Sequence, residues 1–232
     1  MGYTKIEVKV PAINRSFVQG NFSYAKPETI SANKKMIETV EKNYGKIIEK
    51  WAKVFDIDEG IIVCFICVES SGKNAPKNKA GAIGLMQVTA PTVYEALTKW
   101  AVHVKVPLSS ETRSFISGKT STFSKWSANK AMSSSERSQI ESALTDVDFN
   151  IAVGTATLRW LLDWFGKNGG AELGKVIVSY NAGFYGTRNK LKNLNAETII
   201  LDKSIPLESR SYVLKMLGVH GFMDLYYNIM NK

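Results

Sequence analysis

Eight apolar residues stand in a row from Ile61 to Val68, and a carboxylate, Glu69, follows them without a break. A stretch of that character belongs inside a core, where an ionised side chain is costly unless it is paired or neutral. No Lys or Arg lies within helical reach on its N-terminal side. Asp56 or Asp58 can cap a helix that carries the run, and Gly72 follows where it would end, just past Glu69. Desolvation and the partial negative charge of a helix C-terminus both discourage such a carboxyl from ionising. A carboxylic acid still protonated near neutral pH is what general-acid chemistry requires. The plain alternative is a glutamate turned to solvent at a helix end.

The rest of the chain is patterned mainly for helices. Met36, Ile37, Val40, Tyr44, Ile47, Ile48, Trp51 and Phe55 recur at three- and four-residue steps, which predicts an amphipathic helix opening at Ser31. Before it, residues 1–30 alternate loosely and contain Pro11 and Pro27, a pattern of extended structure that reads as an N-terminal arm. Thr89 and Pro91 open a further helix. Another starts at Asp146 or Asp148 and runs to about Phe165. Gly154 inside it costs about 1 kcal/mol relative to Ala, which points to a close approach by another helix. A short helix covers Val176 to Tyr180, and two more follow Pro206, broken near Gly218 and Gly221. Residues 107–137, rich in Ser, Thr and Lys, read as a mobile surface loop or as a groove-side flap built on Phe115, Phe123 and Trp126. The expected organisation is an arm over 1–30 and one mainly α domain over 31–232, with 107–137 as an insertion.

Composition narrows the function classes. A hydrophobic content of 44% supports a sizeable core. The longest apolar run falls far short of the roughly 20 residues of a membrane span. The N-terminus has no apolar h-region, so no secretory signal is expected. A net charge of +9 favours a polyanionic partner and does not choose among nucleic acid, anionic membrane and bacterial cell wall. The two cysteines, Cys64 and Cys67, sit inside the apolar run with no second Cys pair and no His close in sequence. They read as small buried hydrophobes rather than a redox or zinc site, and no metal or cofactor is expected.

Four short stretches occur in order: Glu69-Ser70, Gly84-Leu85-Met86-Gln87, Tyr180-Asn181-Ala182-Gly183, and Glu208-Ser209-Arg210-Ser211-Tyr212-Val213. With DFNIAVGTATLRWLLDWFG placed before the third, the chain resembles the soluble lytic transglycosylases, of lysozyme-like, goose-type-related fold, over about residues 35–225. The resemblance implies that Glu69 protonates the glycosidic oxygen between N-acetylmuramic acid (MurNAc) and N-acetylglucosamine (GlcNAc) in peptidoglycan. The same residue would then take the proton of the muramic C6 hydroxyl, closing a 1,6-anhydro ring. Ser70, Met86, Gln87, Tyr180, Asn181, Glu208 and Tyr212 are implied to bind substrate. Met86 and Gln87 would line the glycan groove, Tyr180 and Asn181 would face the acid, and Glu208 and Tyr212 would close the site. The chain departs from the family at Ile83, at Ser179 and in a longer stretch between Gln87 and Asp148. An internal hydroxyl as nucleophile removes the need for the paired carboxylates that most glycosidases use. No obvious second carboxylate follows Glu69, and Glu95 and Glu208 are the candidates for one.

Other readings compete. A goose-type-like muramidase would share the site and add water. A silent wall-binding or virion structural protein would carry Glu69 as a relic. A wall peptidase would use Cys67 with His103 or His220, although a catalytic thiol needs an exposed electropositive setting. A nucleic-acid binder would explain the charge, but no binding motif is present. The expected partner is the peptidoglycan strand, at the bacterial cell wall in the periplasm. With no signal seen, a bacteriophage source is expected, as a lysis enzyme or a virion component held to tail proteins by the arm. If the charge serves attraction to the wall, binding to whole sacculi should weaken between low and high salt, as screening shortens to about 8–10 Å and below. A pull-down at several ionic strengths reads this out, and salt-independent binding would contradict it.

Overall fold

The computed structural model describes residues 27–100, 108–166 and 173–230. Most of the expected arm therefore lies outside the described residues. The arm's last residues do not belong to it. Helix α1 spans Pro27–Phe55, four residues longer at its start than Ser31 predicts. Pro27 occupies the first helical position, where a missing N–H costs nothing.

The apolar run forms helix α2, Glu59–Ser70. Asp58 caps it by accepting from the Gly60 N–H at 2.9 Å, and every residue from Gly60 to Cys67 is buried. Packing from several sides explains why the run is not amphipathic. Helix α1 lies along it, and so do α10 (Leu207–Leu217) and α11 (Phe222–Asp224), which continues as a wider turn through Met230. Gly60 is required at the start of α2, because a Cβ there would fall 2.3 Å from the Tyr226 ring. The Tyr227 hydroxyl donates to the Asp58 carboxylate, so the capping residue is itself tied to the C-terminal segment. At the other end Ser71 takes a left-handed conformation (φ 54°) and its N–H donates to the Cys67 carbonyl at 3.1 Å.

Two-residue strands β1 (Ala82–Ile83) and β2 (Val88–Thr89) pair antiparallel, Ala82 with Thr89 and Ile83 with Val88. They hold the Gly84–Gln87 turn between them. Helix α3 (Ala90–Glu95) follows, capped by Thr89, and widens into a turn over Ala96–Trp100. Residues 108–137 are not a loose loop. Helix α4 (Ser110–Lys119) is capped by Ser109, and α5 (Ser134–Ala143) begins with a reciprocal capping box between Ser133 and Glu136. Phe115 packs between Trp51 and Phe149, with ring centroids 5.0 and 6.3 Å away, and Trp126 sits 5.2 Å from Tyr94. Half-buried aromatics order the segment where its polar composition suggested mobility. Among the described residues the insertion supplies none to the groove described below, so residues 108–137 do not form a groove-side flap.

Helix α6 (Val147–Phe165), capped by Asp146, crosses α1 and α7 (Leu173–Ala182). Gly183 turns the chain (φ 85°) into the short α8 (Phe184–Thr187), and α9 (Ala196–Leu201) leads to α10. One hydrophobic cluster joins these elements. Among the described residues no helix is long and apolar enough to cross a membrane. Both cysteines are buried and free, and burial pushes the Cys67 thiol up to about 12. A thiol held neutral is not a nucleophile, so the peptidase reading fails here. His103 lies outside the described residues.

Gly154 admits a turn rather than a second helix. A Cβ there would lie 2.4 Å from Met86 Sδ and 2.9 Å from Met86 Cβ. Gly154→Ala gains about 1 kcal/mol of helix propensity but overpacks a fully buried neighbour, which costs about 1–3 kcal/mol. Because Met86 Cβ is anchored to the backbone, the clash should win. The melting temperature should fall by a few degrees in a thermal scan, and a rise would contradict this packing.

Candidate active site

Helix α2 delivers Glu69 in its last turn, at the edge of the core. There the carboxyl lines a groove of about 960 Å³ that α3, α6, α7, α8, α10 and the β-hairpin also border. Glu69 is half-buried. Burial pushes its carboxyl up to about 7; the nearby Tyr212 hydroxyl pulls it down, and the Glu208 charge pushes it up again. A group that is half protonated at neutral pH can both give and take a proton.

Two phenols accompany it. Tyr180, from α7, donates its hydroxyl to the Met86 carbonyl at 2.9 Å and packs its ring edge-on against Phe65 of α2, centroids 4.9 Å apart. Tyr212, from α10, is buried, and its hydroxyl makes no hydrogen bond of normal geometry with a described residue. It lies close enough to Glu69 to lower that carboxyl. Burial, then the Glu69 charge, raise both phenols well above the usual tyrosine value, and both remain protonated donors. Asn181 lines the groove, its side-chain oxygen accepting from Ser209 Oγ at 2.8 Å, which ties α7 to α10.

The hairpin turn contributes Gln87. Its backbone is left-handed (φ 46°), a conformation that costs roughly 1 kcal/mol or more in a non-glycine residue. Its amide is held from both ends: Nε2 donates to the Gly84 carbonyl at 2.8 Å, and Oε1 accepts from Asn78 at 3.1 Å. The whole turn hangs on Asn150, buried in α6. Asn150 accepts from the Met86 N–H at 2.9 Å and donates to the carbonyls of Ile83 and Leu144 at 2.9 and 3.0 Å. Gly84 (φ 79°) is obligatory beside it, since a Cβ would meet Asn150 Nδ2 at 2.1 Å.

Six of the eight residues that the sequence nominates, Glu69, Gln87, Tyr180, Asn181, Glu208 and Tyr212, line this groove together. Two do not. Met86 is fully buried beneath Gly154 and offers its carbonyl to Tyr180, not its side chain to a ligand. Ser70 returns its hydroxyl to the Ile66 carbonyl at 3.1 Å and stays off the groove surface. Ile83 is likewise buried, so its departure from the family pattern changes core rather than groove. Ser179 lines the groove and shares a 3.1 Å hydrogen bond with Thr187, fastening α7 to α8 across the Gly183 turn. Asn150 escaped sequence reasoning, although a lone amide on an apolar helical face is the signal that could have found it. Glu95, paired with Lys99 at 3.2 Å, and Lys215 also face the groove.

The sequence pattern of the transglycosylase SLT domain family matches residues 46–108 and 123–202, more than half of the chain. The chain belongs to that family. It is also 41% identical over 56 residues to the membrane-bound lytic murein transglycosylase E of Buchnera aphidicola subsp. Acyrthosiphon pisum (strain APS). That stretch is 24% of this chain and 25% of that protein, so the likeness spans about a quarter of the relative's length. No solved structure matches the chain significantly. The SLT fold is lysozyme-like and mainly helical, as observed. Glu208 and Tyr212 lie beyond the matched segments, yet α10 brings both to the groove that the matched segments build.

The raised acid makes a stability prediction. Below about pH 4.5, the ordinary value, Glu69 is protonated whether the chain is folded or not. Between there and about 7 the unfolded chain ionises first, so this group's contribution to folding declines as pH rises. At about 1.4 kcal/mol per pKa unit, reduced because Glu69 is partly exposed, the loss is roughly 1–3 kcal/mol. Glu69→Gln lacks it. Urea unfolding should show the Gln variant gaining on the unmutated protein by that amount from pH 4 to pH 8. A constant difference would show that Glu69 is not raised.

Proposed function

We propose that this protein is a lytic transglycosylase that cleaves the MurNAc–GlcNAc β-1,4 bond of peptidoglycan and leaves 1,6-anhydro-MurNAc. The observation that carries the reading is Glu69, a carboxyl pushed up to about 7 on a groove wall and flanked by two neutral phenols.

The protonated Glu69 carboxyl gives its proton to the glycosidic oxygen, and the bond from that oxygen to muramic C1 breaks with its electron pair leaving on the oxygen. Positive charge develops at C1 and the ring oxygen. The Glu69 carboxylate then accepts the proton of the muramic C6 hydroxyl as that oxygen bonds to C1. Atoms balance without water, and the acid is regenerated for the next turnover. The Tyr212 hydroxyl, which makes no hydrogen bond of normal geometry among the described residues and lies close to Glu69, is available to hydrogen-bond the carboxylate form or a sugar oxygen. Gln87 and Asn181, each held by neighbouring side chains, present fixed amides to sugar hydroxyls. Fixed polar groups of this kind bind without reorganising at the moment of reaction.

A hydrolytic reading is favoured by one observation: Glu95 and Glu208 line the same groove, and either is a carboxylate to activate water. Product mass separates the two outcomes. Mass spectrometry of digested sacculi should show anhydromuramoyl products, lighter by one water than a muramidase would give. Glu69→Gln should fold, still bind glycan and lose at least about 10²–10⁴-fold in turnover. The alkaline limb of kcat/KM should lie near pH 7 and move with the neighbours of Glu69. Glu208→Gln removes a raising charge and should shift the limb to lower pH. Tyr212→Phe removes a lowering hydroxyl and should shift it to higher pH. Near-normal turnover in the Gln variant would refute the mechanism.

A further inference from the structure

One end of the groove carries a feature that the cleavage chemistry does not use. Phe184, Tyr185 and Gly186, just past the Gly183 turn, are groove-lining residues. Phe184 is buried, with its ring 4.5 Å from Trp160 and 4.9 Å from Trp164, both edge-on. Tyr185 lies edge-on to Phe184 at 5.2 Å and leaves 51% of its surface exposed. A large aromatic exposed to that degree on a groove wall, and held by a buried one, is an informative exception among surface residues. Arg188 completes the group. Its guanidinium sits 5.3 Å from the Tyr185 centroid and 5.6 Å from that of Phe184. The residue is exposed, and no carboxylate pairs with it among the described residues. Contact with the two rings limits where the guanidinium can sit, and no carboxylate among the described residues occupies its N–H groups.

We propose that Tyr185 and Arg188 form a recognition subsite for the peptide stem carried by MurNAc, with the Tyr185 ring under a sugar or stem aliphatic face and Arg188 bound to a stem carboxylate. This deepens the reading of the groove as a peptidoglycan site and rests on it. Two features choose the occupant. Tyr185 lines the groove and Arg188 stands against its ring just outside, so a strand lying over Glu69 can reach both. The free charge of the pair is positive, and in a peptide-bearing strand the lactyl carboxyl of MurNAc is tied up in the amide to the stem, so the complementary anion comes from the stem. A bidentate guanidinium–carboxylate contact adds direction as well as affinity. Binding energy from this remote contact can hold the reacting sugar in register over Glu69.

The test compares glycan strands that keep their peptides with strands stripped of them by an amidase and then capped at the freed lactyl carboxyls as methylamides, so that the stripped strands are neutral. Binding is measured with the Glu69→Gln protein, which holds substrate without consuming it, and with Glu69→Gln/Arg188→Gln and Glu69→Gln/Tyr185→Ala. The expected result is tighter binding of peptide-bearing strands, with a preference that Arg188→Gln reduces about tenfold, the size of one charge-assisted contact. Arg188→Lys, which keeps charge but loses the fork, should restore only part of it. Tyr185→Ala should weaken both substrates. Equal binding of the two substrates, or equal losses on both in Arg188→Gln, overturns the proposal. Failure of the unmutated protein to release any muropeptide, with the Arg188-dependent preference intact, would instead refute the cleavage reading and leave the stem subsite standing.

Discussion

A helix buried on nearly every side can show water only its ends. Helix α2 is in that position, with its residues from Gly60 to Cys67 enclosed by α1, α10 and the C-terminal segment. The place of Glu69 follows from that constraint. One turn earlier the carboxyl would lie in the core without a partner; one turn later it would be solvated and ordinary. At the rim it is desolvated enough to keep its proton and accessible enough to pass it on. The same enclosure fixes the acid in space, because a helix packed all round cannot tilt without opening the core.

Opposite the acid, position is set by hydrogen bonds rather than by packing. Asn150 ties two backbone groups of the hairpin, at Ile83 and Met86, to a third at Leu144, and the Met86 carbonyl passes that placement to Tyr180. Buried amides satisfied this fully define one geometry, and leaving one bond unmade costs about 1–3 kcal/mol. Gly84 and Gly154 are the clearances that let this network and Met86 come so close. The groove therefore joins a rigid apolar support for the raised acid to a polar clamp for the turn that shares its lining.

Much of this was legible in the sequence where a single interaction decides structure. The apolar run and Asp58 fixed α2 to within a residue or so, and the ordered motifs brought out Glu69, Tyr180, Asn181 and Tyr212. Side-chain direction was not legible. Met86 and Gln87 are adjacent in one motif, yet one points into the core and the other lines the groove, because the left-handed backbone at Gln87 reverses the turn. Residues 108–137 misled for another reason. Their Ser and Thr are helix caps and their few aromatics are anchors, so polar composition concealed order. The tie between Asn150 and a turn more than sixty positions earlier could not be read from local pattern at all.

The Tyr227–Asp58 contact bears on when the chain becomes competent. Asp58 starts the helix that carries the acid, and Tyr226 and Tyr227 cover that start. Tyr227 is made 169 residues after Asp58, directly behind Tyr226. On the ribosome, α1 and α2 emerge well before Tyr226 and Tyr227, so one flank of α2 stays bare until that segment follows. A nascent chain thus has its acid in hand but not the support that positions it. Competence of the groove therefore waits on residues made long after the acid itself.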